Sequence, residues 1–284
     1  MKKILLLFMA CATLYTVNAQ VQTPAPSPFS KIEQKVGLTD VIIEYSRPGV
    51  KDRVIFGDLV PFDKPWRTGA NARTKITFST DATFDGQTLK AGSYSIFTVP
   101  SAESWNIIFY NDGKDSGTPE EFNPDYVAVK TTAKMYPIPF NVETFTIDIN
   151  NITNTGGRLE FIWEKTWVGV DFTVPTDAAV MASIKDVMSS DSPKAQDYFE
   201  SAVYYLEANH DINKAVTWID KAVDMTKDKP KFWFIHQQAL IHAKAGNTKD
   251  AIAAAKASLE LAKEAKYEAF IKKNEDVLKE WGAM

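Results

Sequence analysis

The hydrophobic pattern of this 284-residue chain changes its period once, near residue 175. Before that point, β-branched and aromatic residues alternate with polar ones, as in "RTKITFSTDATF" (73–84) and "SYSIFTVP" (93–100). After it, apolar residues recur at helical spacing, as in "AKAGNTKDAIAAAKASLELAKEAK" (243–266). Alternation with period two is typical of strands, and a spacing of three or four residues is typical of helices. The change predicts a β half followed by an α half.

Turn signals divide the first half into eight or nine short strands. The dipeptides that separate them are Asp85-Gly86, Ala91-Gly92, Asp112-Gly113 and Gly156-Gly157. Many short strands at regular spacing are typical of antiparallel sandwiches and barrels. We therefore predict an antiparallel β-sandwich or jelly-roll-like domain over residues 29–175. No Gly-rich phosphate-binding loop between a strand and a helix interrupts it.

An internal repeat organises the second half. The stretch "EANHDINKAVTWIDKAV" (207–223) aligns with "AKAGNTKDAIAAAKASL" (243–259) at an offset of 36 residues, which matches Ala215 to Ala251. A small residue where two helices cross is the arrangement of tetratricopeptide repeats, and residues 267–282 have the polar character of a capping helix. We predict a tetratricopeptide-like domain over residues 177–284, with a groove for a peptide or protein partner.

The N-terminus has the three parts of a secretory signal. Lys2 and Lys3 precede an apolar run that ends in Val17-Asn18-Ala19. This pattern predicts cleavage after Ala19, a signal peptide over residues 1–19, and export to the periplasm or out of the cell. The run is too short for a transmembrane anchor, which needs about 20 apolar residues. We expect no membrane-spanning segment in the mature chain, which would begin with a Pro-rich linker at residues 20–28.

Cys11 is the only cysteine of the chain. As a lipid-anchor cysteine it would follow Phe8-Met9-Ala10, and the bulky Phe8 suits that processing poorly. A chain cleaved after Ala19 has no thiol, which excludes disulfides, cysteine nucleophiles and thiolate metal sites. The net charge of −4 argues against a nucleic-acid binder, because such domains are strongly basic.

Neither the histidines nor the clustered acids match a familiar catalytic or metal-binding motif. His236 and His242 are six residues apart, which places them on different faces of a helix. The β half has no histidine, which disfavours a Ser-His-Asp triad. The acidic loop at residues 111–125 has oxygen ligands that calcium would use, but its spacing fits no dedicated calcium loop and favours a solvated turn. We expect neither a metal nor a cofactor.

One segment of the β half combines arginines, aromatic residues and prolines: "SRPGVKDRVIFGDLVPFDKPWRTGAN" (46–71), hereafter the crossover segment. Prolines limit its backbone freedom, and arginine suits bidentate capture of carboxylate, phosphate or sulfate. Trp66 offers a flat apolar wall beside Arg67. We predict a site for an anionic or carbohydrate ligand, formed by Arg53, Trp66, Arg67 and Asn71, with Arg47, Asp58 and Asp63 as secondary candidates.

Two other interpretations of the crossover segment stay open. A carbohydrate-active hydrolase would use a pair of carboxylates, with Asp58 or Asp63 as one member. A purely structural crossover would use its arginines to cap strand ends and to pair with acids. Because no complete catalytic set is evident, we favour a non-catalytic binding or adaptor module.

Several short motifs of the sequence resemble those of the bacterial family called domain of unknown function 2911. They are Ser46-Arg47-Pro48, Lys51 to Gly57, Leu59-Val60-Pro61, Trp66 to Asn71 and Ala91-Gly92-Ser93-Tyr94. The resemblance covers about residues 29–175, with one departure: members of the family often have an acid directly after the Asn, where this chain has Ala72-Arg73. The resemblance implies an exported protein of Gram-negative bacteria, often with a tetratricopeptide-like tail. It implies no established activity.

Overall fold

The computed structural model describes residues 23–284. The signal peptide, its cleavage after Ala19 and the fate of Cys11 lie outside the described residues and stay predictions. The chain separates into two compact units, of which one ends at Val174 and the other begins at Pro175. Strands make up the first unit and helices the second, which confirms the predicted β-then-α fold class.

Nine strands of the described chain form one hydrogen-bonded sheet in the order β1-β2-β3-β6-β7-β8-β9-β4-β5. Every neighbouring pair is antiparallel. The strands are β1 (Phe29–Val36), β2 (Thr39–Ser46), β3 (Lys75–Phe78), β4 (Ala82–Phe84), β5 (Gln87–Leu89), β6 (Gly92–Pro100), β7 (Ser104–Tyr110), β8 (Val127–Thr153) and β9 (Gly156–Thr173).

The long strand β8 connects two layers of this sheet. Up to Lys134 it pairs with β7, and from Met135 it pairs with β9. Aromatic side chains of the two layers meet in the interior: Phe84 of β4 lies 4.5 Å from Phe109 of β7, ring centroid to centroid. The two layers therefore enclose one hydrophobic core, and each large side chain fully buried there contributes about 1.5–3 kcal/mol.

The crossover segment lies between β2 and β3, two strands that pair with each other. Antiparallel neighbours are usually joined by about two to five residues, whereas residues 47–74 separate these two strands. The segment is fastened to the sheet by single bridges, Gly49 to Thr144 and Trp66 to Thr98. A connection of this length is more than the sheet needs, and long ordered loops often carry function.

The helical unit contains six α-helices within the described residues: α1 (Thr176–Met188), α2 (Ala195–Glu207), α3 (Ile212–Asp224), α4 (Phe232–Lys244), α5 (Thr248–Glu264) and α6 (Glu268–Glu280). Helices α3 and α5 begin 36 residues apart, at the offset of the sequence repeat. Ala215 of α3 and Ala251 of α5 are 0% and 1% exposed. None of the helices between residues 23 and 284 combines the length and apolarity needed to cross a bilayer.

Candidate functional site

A cavity of about 340 Å³ opens at the crossover segment. Three parts of the chain line it: Pro26 and Ser27 of the linker, the crossover segment itself, and Trp163 of β9. Three of the four principal site residues predicted from the sequence, Arg53, Trp66 and Arg67, are in this lining. The structure adds Lys51, a third cation.

Trp66 forms a fixed wall of the cavity. Its backbone exchanges two hydrogen bonds with Thr98 of β6, Trp66 N to Thr98 O at 2.8 Å and Thr98 N to Trp66 O at 3.0 Å. Its indole Nε1 donates to the carbonyl of Gly69 at 3.1 Å, and its ring stacks on Trp163 at 5.7 Å with an angle of 16° between the planes. The ring is half-buried, so one part packs in the core and another faces the cavity.

Arg53 is exposed but held in place by its own loop. Its Nε donates to the carbonyl of Val50 at 3.0 Å, and its Nη2 donates to the carbonyl of Gly49 at 2.7 Å. Both N–H groups of Nη1 and the second N–H group of Nη2 are left for a ligand. Lys51 precedes it at a positive φ of 49°, and its backbone N–H donates to the Glu143 carboxylate at 2.9 Å.

Arg67 is the lining residue with a buried side-chain donor that has no partner among the described residues. Its Nε is shut off from solvent and has no hydrogen-bond partner among the described residues. A buried donor without a partner costs about 1–3 kcal/mol. An acceptor that reached this Nε would recover part of that cost.

The cavity is electrostatically unbalanced. None of the side chains of Lys51, Arg53 and Arg67 forms an ion pair with a carboxylate of residues 23–284 within 4.0 Å. The lining has no acidic residue; the Glu143 carboxylate beside it accepts a hydrogen bond from the Lys51 backbone, which does not neutralise its charge, so three cations face one neighbouring carboxylate. Three cations on concave walls produce a positive potential that attracts anions.

The remaining predicted site residues lie elsewhere on the crossover segment. Asn71 is exposed, and its Nδ2 donates to the Ser27 carbonyl at 3.2 Å, which ties the linker to the segment. Arg47 donates from Nε to the Phe145 carbonyl at 2.9 Å and from Nη2 to Thr146 Oγ1 at 2.7 Å. Arg47 thus has the structural role that the third interpretation gave to the arginines.

Asp58 and Asp63 are exposed and outside the cavity lining. The backbone N–H of Asp63 donates to the Pro100 carbonyl at 2.9 Å. The lining of the cavity contains no aspartate, glutamate or histidine. The side chains that the hydrolase interpretation needs therefore do not line this cavity.

The histidines and the acidic loop are engaged in the packing of their own units. His236 Nδ1 lies 2.8 Å from Asn274 Oδ1, His242 Nε2 lies 2.9 Å from Asp220 Oδ1, and His210 Nε2 lies 2.6 Å from Asp177 Oδ1. In the acidic loop, Asp112 pairs with Arg73. Over residues 23–284, no three such side chains converge in a way that could hold a metal ion.

Lys51 and Trp163 are cavity residues that the sequence-based site prediction did not include, and only one of them has a local signal. Lys51 is two residues from Arg53, so the local cluster of cations already pointed to it. Trp163 reaches the cavity because β8 and β9 pair and bring it beneath Trp66. No local pattern near Trp163 distinguishes it from an ordinary core residue.

A family model described as "Protein of unknown function (DUF2911)" matches residues 27–172. The match covers more than half of the chain and contains the whole crossover segment and the residues that line the cavity from Ser27 to Trp163. No curated protein and no solved structure matches the chain significantly.

Proposed function

The chain belongs to the DUF2911 family, and we propose that it is an exported, non-catalytic binding protein whose β unit takes a small anionic ligand in the crossover cavity. One observation carries the proposal: Lys51, Arg53 and Arg67 line the same cavity, and none of them has an acidic partner among residues 23–284. Export rests on the signal-like N-terminus.

The ligand has a carboxylate, sulfate or phosphate group, because these anions match guanidinium donors. Its size follows from the cavity, whose 340 Å³ is near the lower end of about 300–1,000 Å³ for small-molecule pockets. The Trp66 ring gives such a ligand an apolar surface to stack on. An acidic monosaccharide meets both requirements, with its charge on the cations and one face of its ring on Trp66.

The alternatives have less support. A hydrolase needs a general acid and a second carboxylate on either side of the scissile bond, and the lining supplies neither. A purely structural role fits Arg47 and Asn71, whose donors are used by the protein itself. It does not account for Arg67, whose buried Nε has no hydrogen-bond partner among the described residues.

For the helical unit we propose a tetratricopeptide-like adaptor that binds a peptide or protein partner. The support is the 36-residue offset between α3 and α5 and the buried small residue at the matching place in each, Ala215 and Ala251. Small residues there let two helices approach closely, as stacked helical repeats require.

The test of the β-unit proposal is calorimetric titration of the chain from Gln20 with glucuronate, galacturonate, sulfate and phosphate, and with glucose as the neutral comparison. We expect at least one anion to bind and glucose to fail. Arg67→Ala should weaken that binding about tenfold to a hundredfold, since a hydrogen bond to a charged group contributes about 1.5–3 kcal/mol.

Lys64→Ala is the matched control, because Lys64 is an exposed cation of the same segment outside the lining. It should leave affinity nearly unchanged. Equal affinities for wild type and Arg67→Ala would overturn the site. Cleavage of an acidic oligosaccharide that is lost in Asp58→Asn or Asp63→Asn would instead favour the hydrolase.

A further inference from the structure

A second cavity lies within the helical unit, among α1, α2 and α3. Its volume is about 570 Å³. Helix α1 contributes Met181, Ile184 and Met188, α2 contributes Tyr205, and α3 contributes Trp218. Tyr205 and Trp218 form the buried floor, at 4% and 9% exposed, and the two methionines are half-buried at the wall. The cavity is therefore a mostly apolar groove that opens to solvent.

The composition of this groove suits an alkyl chain. Methionine side chains are flexible and polarisable, so they adapt to a ligand of variable shape. Apolar walls without a facing partner forgo dispersion contacts that an inserted chain would restore. Each methylene transferred from water into such a groove strengthens binding about fourfold.

Two lysines, Lys185 and Lys214, also line this groove. Lys214 Nζ lies 4.7 Å from the ring centroid of Trp218 and 5.5 Å from that of Tyr205, so cation–π attraction holds the ammonium group over the floor. The lining has no acidic residue, and neither lysine forms an ion pair within residues 23–284. The groove thus combines apolar walls with two uncompensated positive charges.

The carboxylate closest in sequence to Lys214 is engaged elsewhere. Asp211 caps the N-terminus of α3, where its Oδ1 accepts hydrogen bonds from the backbone N–H of Asn213 at 3.0 Å and of Lys214 at 3.4 Å. It is not part of the groove lining. The positive charge of Lys214 is therefore left for a ligand.

We propose that this groove binds a long-chain fatty acid, with the alkyl chain along Met181, Met188 and Trp218 and the carboxylate at Lys214 and Lys185. A neutral hydrocarbon would leave the lysines unused, and a small anion would leave the apolar walls unused. An amphiphilic anion uses both. The site is separate from the crossover cavity and is independent of the function proposed for it.

The methionines allow a site-specific test. The chain from Gln20, labelled with ¹³C at the methionine methyl groups, has five of them: Met135, Met181, Met188, Met225 and Met284. Titration with dodecanoate below its micelle concentration should shift the signals of Met181 and Met188 saturably and leave Met135, in the β unit, in place. Dodecanoate should bind more tightly than decanoate by about sixteenfold, for two methylenes.

Variants separate the charge from the apolar walls. Lys214→Gln should weaken dodecanoate binding about twofold to fivefold, whereas Lys221→Gln, on the same helix but outside the lining, should not. Ala182→Phe should fill the groove and abolish binding while both lysines remain.

Three results would overturn the proposal. The first is the absence of saturable shifts at Met181 and Met188. The second is equal affinity for dodecanoate and for the dodecyltrimethylammonium cation. The third is a response of the two methionines to phosphatidylglycerol vesicles but not to dodecanoate, which would assign the groove to a lipid surface.

Discussion

Arg73 and Asp112 form a two-point ion pair whose side chains are only 3% and 9% exposed. Arg73 Nη1 lies 2.6 Å from Asp112 Oδ1, and Nη2 lies 3.3 Å from Oδ2. The same guanidinium donates from Nε to the Gly117 carbonyl at 2.7 Å. One arginine after the crossover segment thus fastens the acidic loop that follows β7.

Burial and hydrogen bonding act in opposite directions on the pKa of the Asp112 carboxyl group. Its burial acts to raise the pKa, but the hydrogen bonds from Arg73 and from the Lys114 backbone, with the charge of Arg73, outweigh it. The pKa of Asp112 therefore lies below its ordinary value, and this carboxyl group stays ionised at neutral pH.

We predict that Arg73→Ala lowers the free energy of unfolding of the β unit by about 3–5 kcal/mol, because it leaves a buried carboxylate without its partner. Urea denaturation followed by near-UV circular dichroism measures the change. In a double-mutant cycle, Arg73→Ala and Asp112→Ala should be strongly non-additive. The matched cycle for Lys75 and Asp115, an ion pair with side chains 39% and 76% exposed, should give a coupling of only about 0–1 kcal/mol. Equal coupling energies in the two cycles would contradict the prediction.

His236 makes the stability of the helical unit depend on pH. Burial lowers the pKa of His236, and Lys273 lowers it further, while the hydrogen bond with Asn274 acts in the opposite direction. Unfolded His236 takes up a proton near pH 6.5, whereas the folded state takes it up only at lower pH. This contribution to stability is therefore complete above pH 6.5 and is lost as the pH falls from 6.5 to the folded pKa.

We predict that His236 adds a slope of at most about 1.4 kcal/mol per pH unit to unfolding free energies measured below pH 6.5. The same urea series, followed by far-UV circular dichroism, should show a smaller slope in His236→Gln. NMR titration of the His236 ring should give a pKa below 6.5. A pKa of the His236 ring at or above 6.5 would refute the prediction, even if His236→Gln showed a smaller slope.

Much of the fold can be predicted from local sequence patterns. The parts that cannot be predicted depend on contacts between residues far apart in the sequence. The hairpin at Asp85-Gly86 is expected from its turn residues, and it joins β4 to β5 with Phe84 opposite Gln87. By contrast, the sequence pattern over 126–136 and 143–150 predicts two separate strands, whereas residues 127–153 form the single strand β8. Proline normally interrupts a strand, but here Pro137 and Pro139 lie at an irregularity of the β8–β9 pairing, where a missing N–H is tolerated.

The residues of the candidate site also fall into two groups, those that local sequence predicts and those that only the tertiary fold brings in. Arg53, Trp66 and Arg67 can be found together because they belong to one short, unusual segment. Trp163 and the linker residue Ser27 reach the cavity through the tertiary fold, which sequence spacing does not encode. The partner of Arg73 could not be foreseen either, since Asp112 lies 39 residues away.

The buried alanines Ala215 and Ala251 provide a test of the helical repeat. Replacing either with leucine forces three additional carbon atoms into a packed helix crossing, which costs about 1–3 kcal/mol. We predict that Ala215→Leu and Ala251→Leu each lower the unfolding free energy of the helical unit by that amount. Ala257→Leu, on an exposed face of α5, is the control and should change it little. If only one of the two substitutions lowers the unfolding free energy, α3 and α5 do not occupy equivalent places in a repeat.

Gly69 links the backbone of the crossover segment to the ligand cavity. Its φ is +153°, and a Cβ there would lie 3.0 Å from the Ser46 carbonyl oxygen and 3.0 Å from Thr74 Oγ1. Its own carbonyl accepts the hydrogen bond of the Trp66 indole. A side chain at this position must move the backbone, and that movement also displaces the Trp66 wall.

We therefore predict that Gly69→Ala lowers the unfolding free energy of the β unit by about 1–3 kcal/mol, the usual cost of a strained backbone position, and also weakens anion binding. Gly86→Ala is the matched control, because Gly86 has a positive φ of 77° but a methyl group there would meet no atom within 4 Å, and the residue has no part in the cavity. The Gly86→Ala variant should have a lower unfolding free energy and an unchanged affinity for the anion. Denaturation and calorimetric titration of the two variants separate backbone strain from damage to the site. If Gly69→Ala binds anions as tightly as Gly86→Ala does, the position of Trp66 does not matter for the ligand, and the role given to its ring must be abandoned.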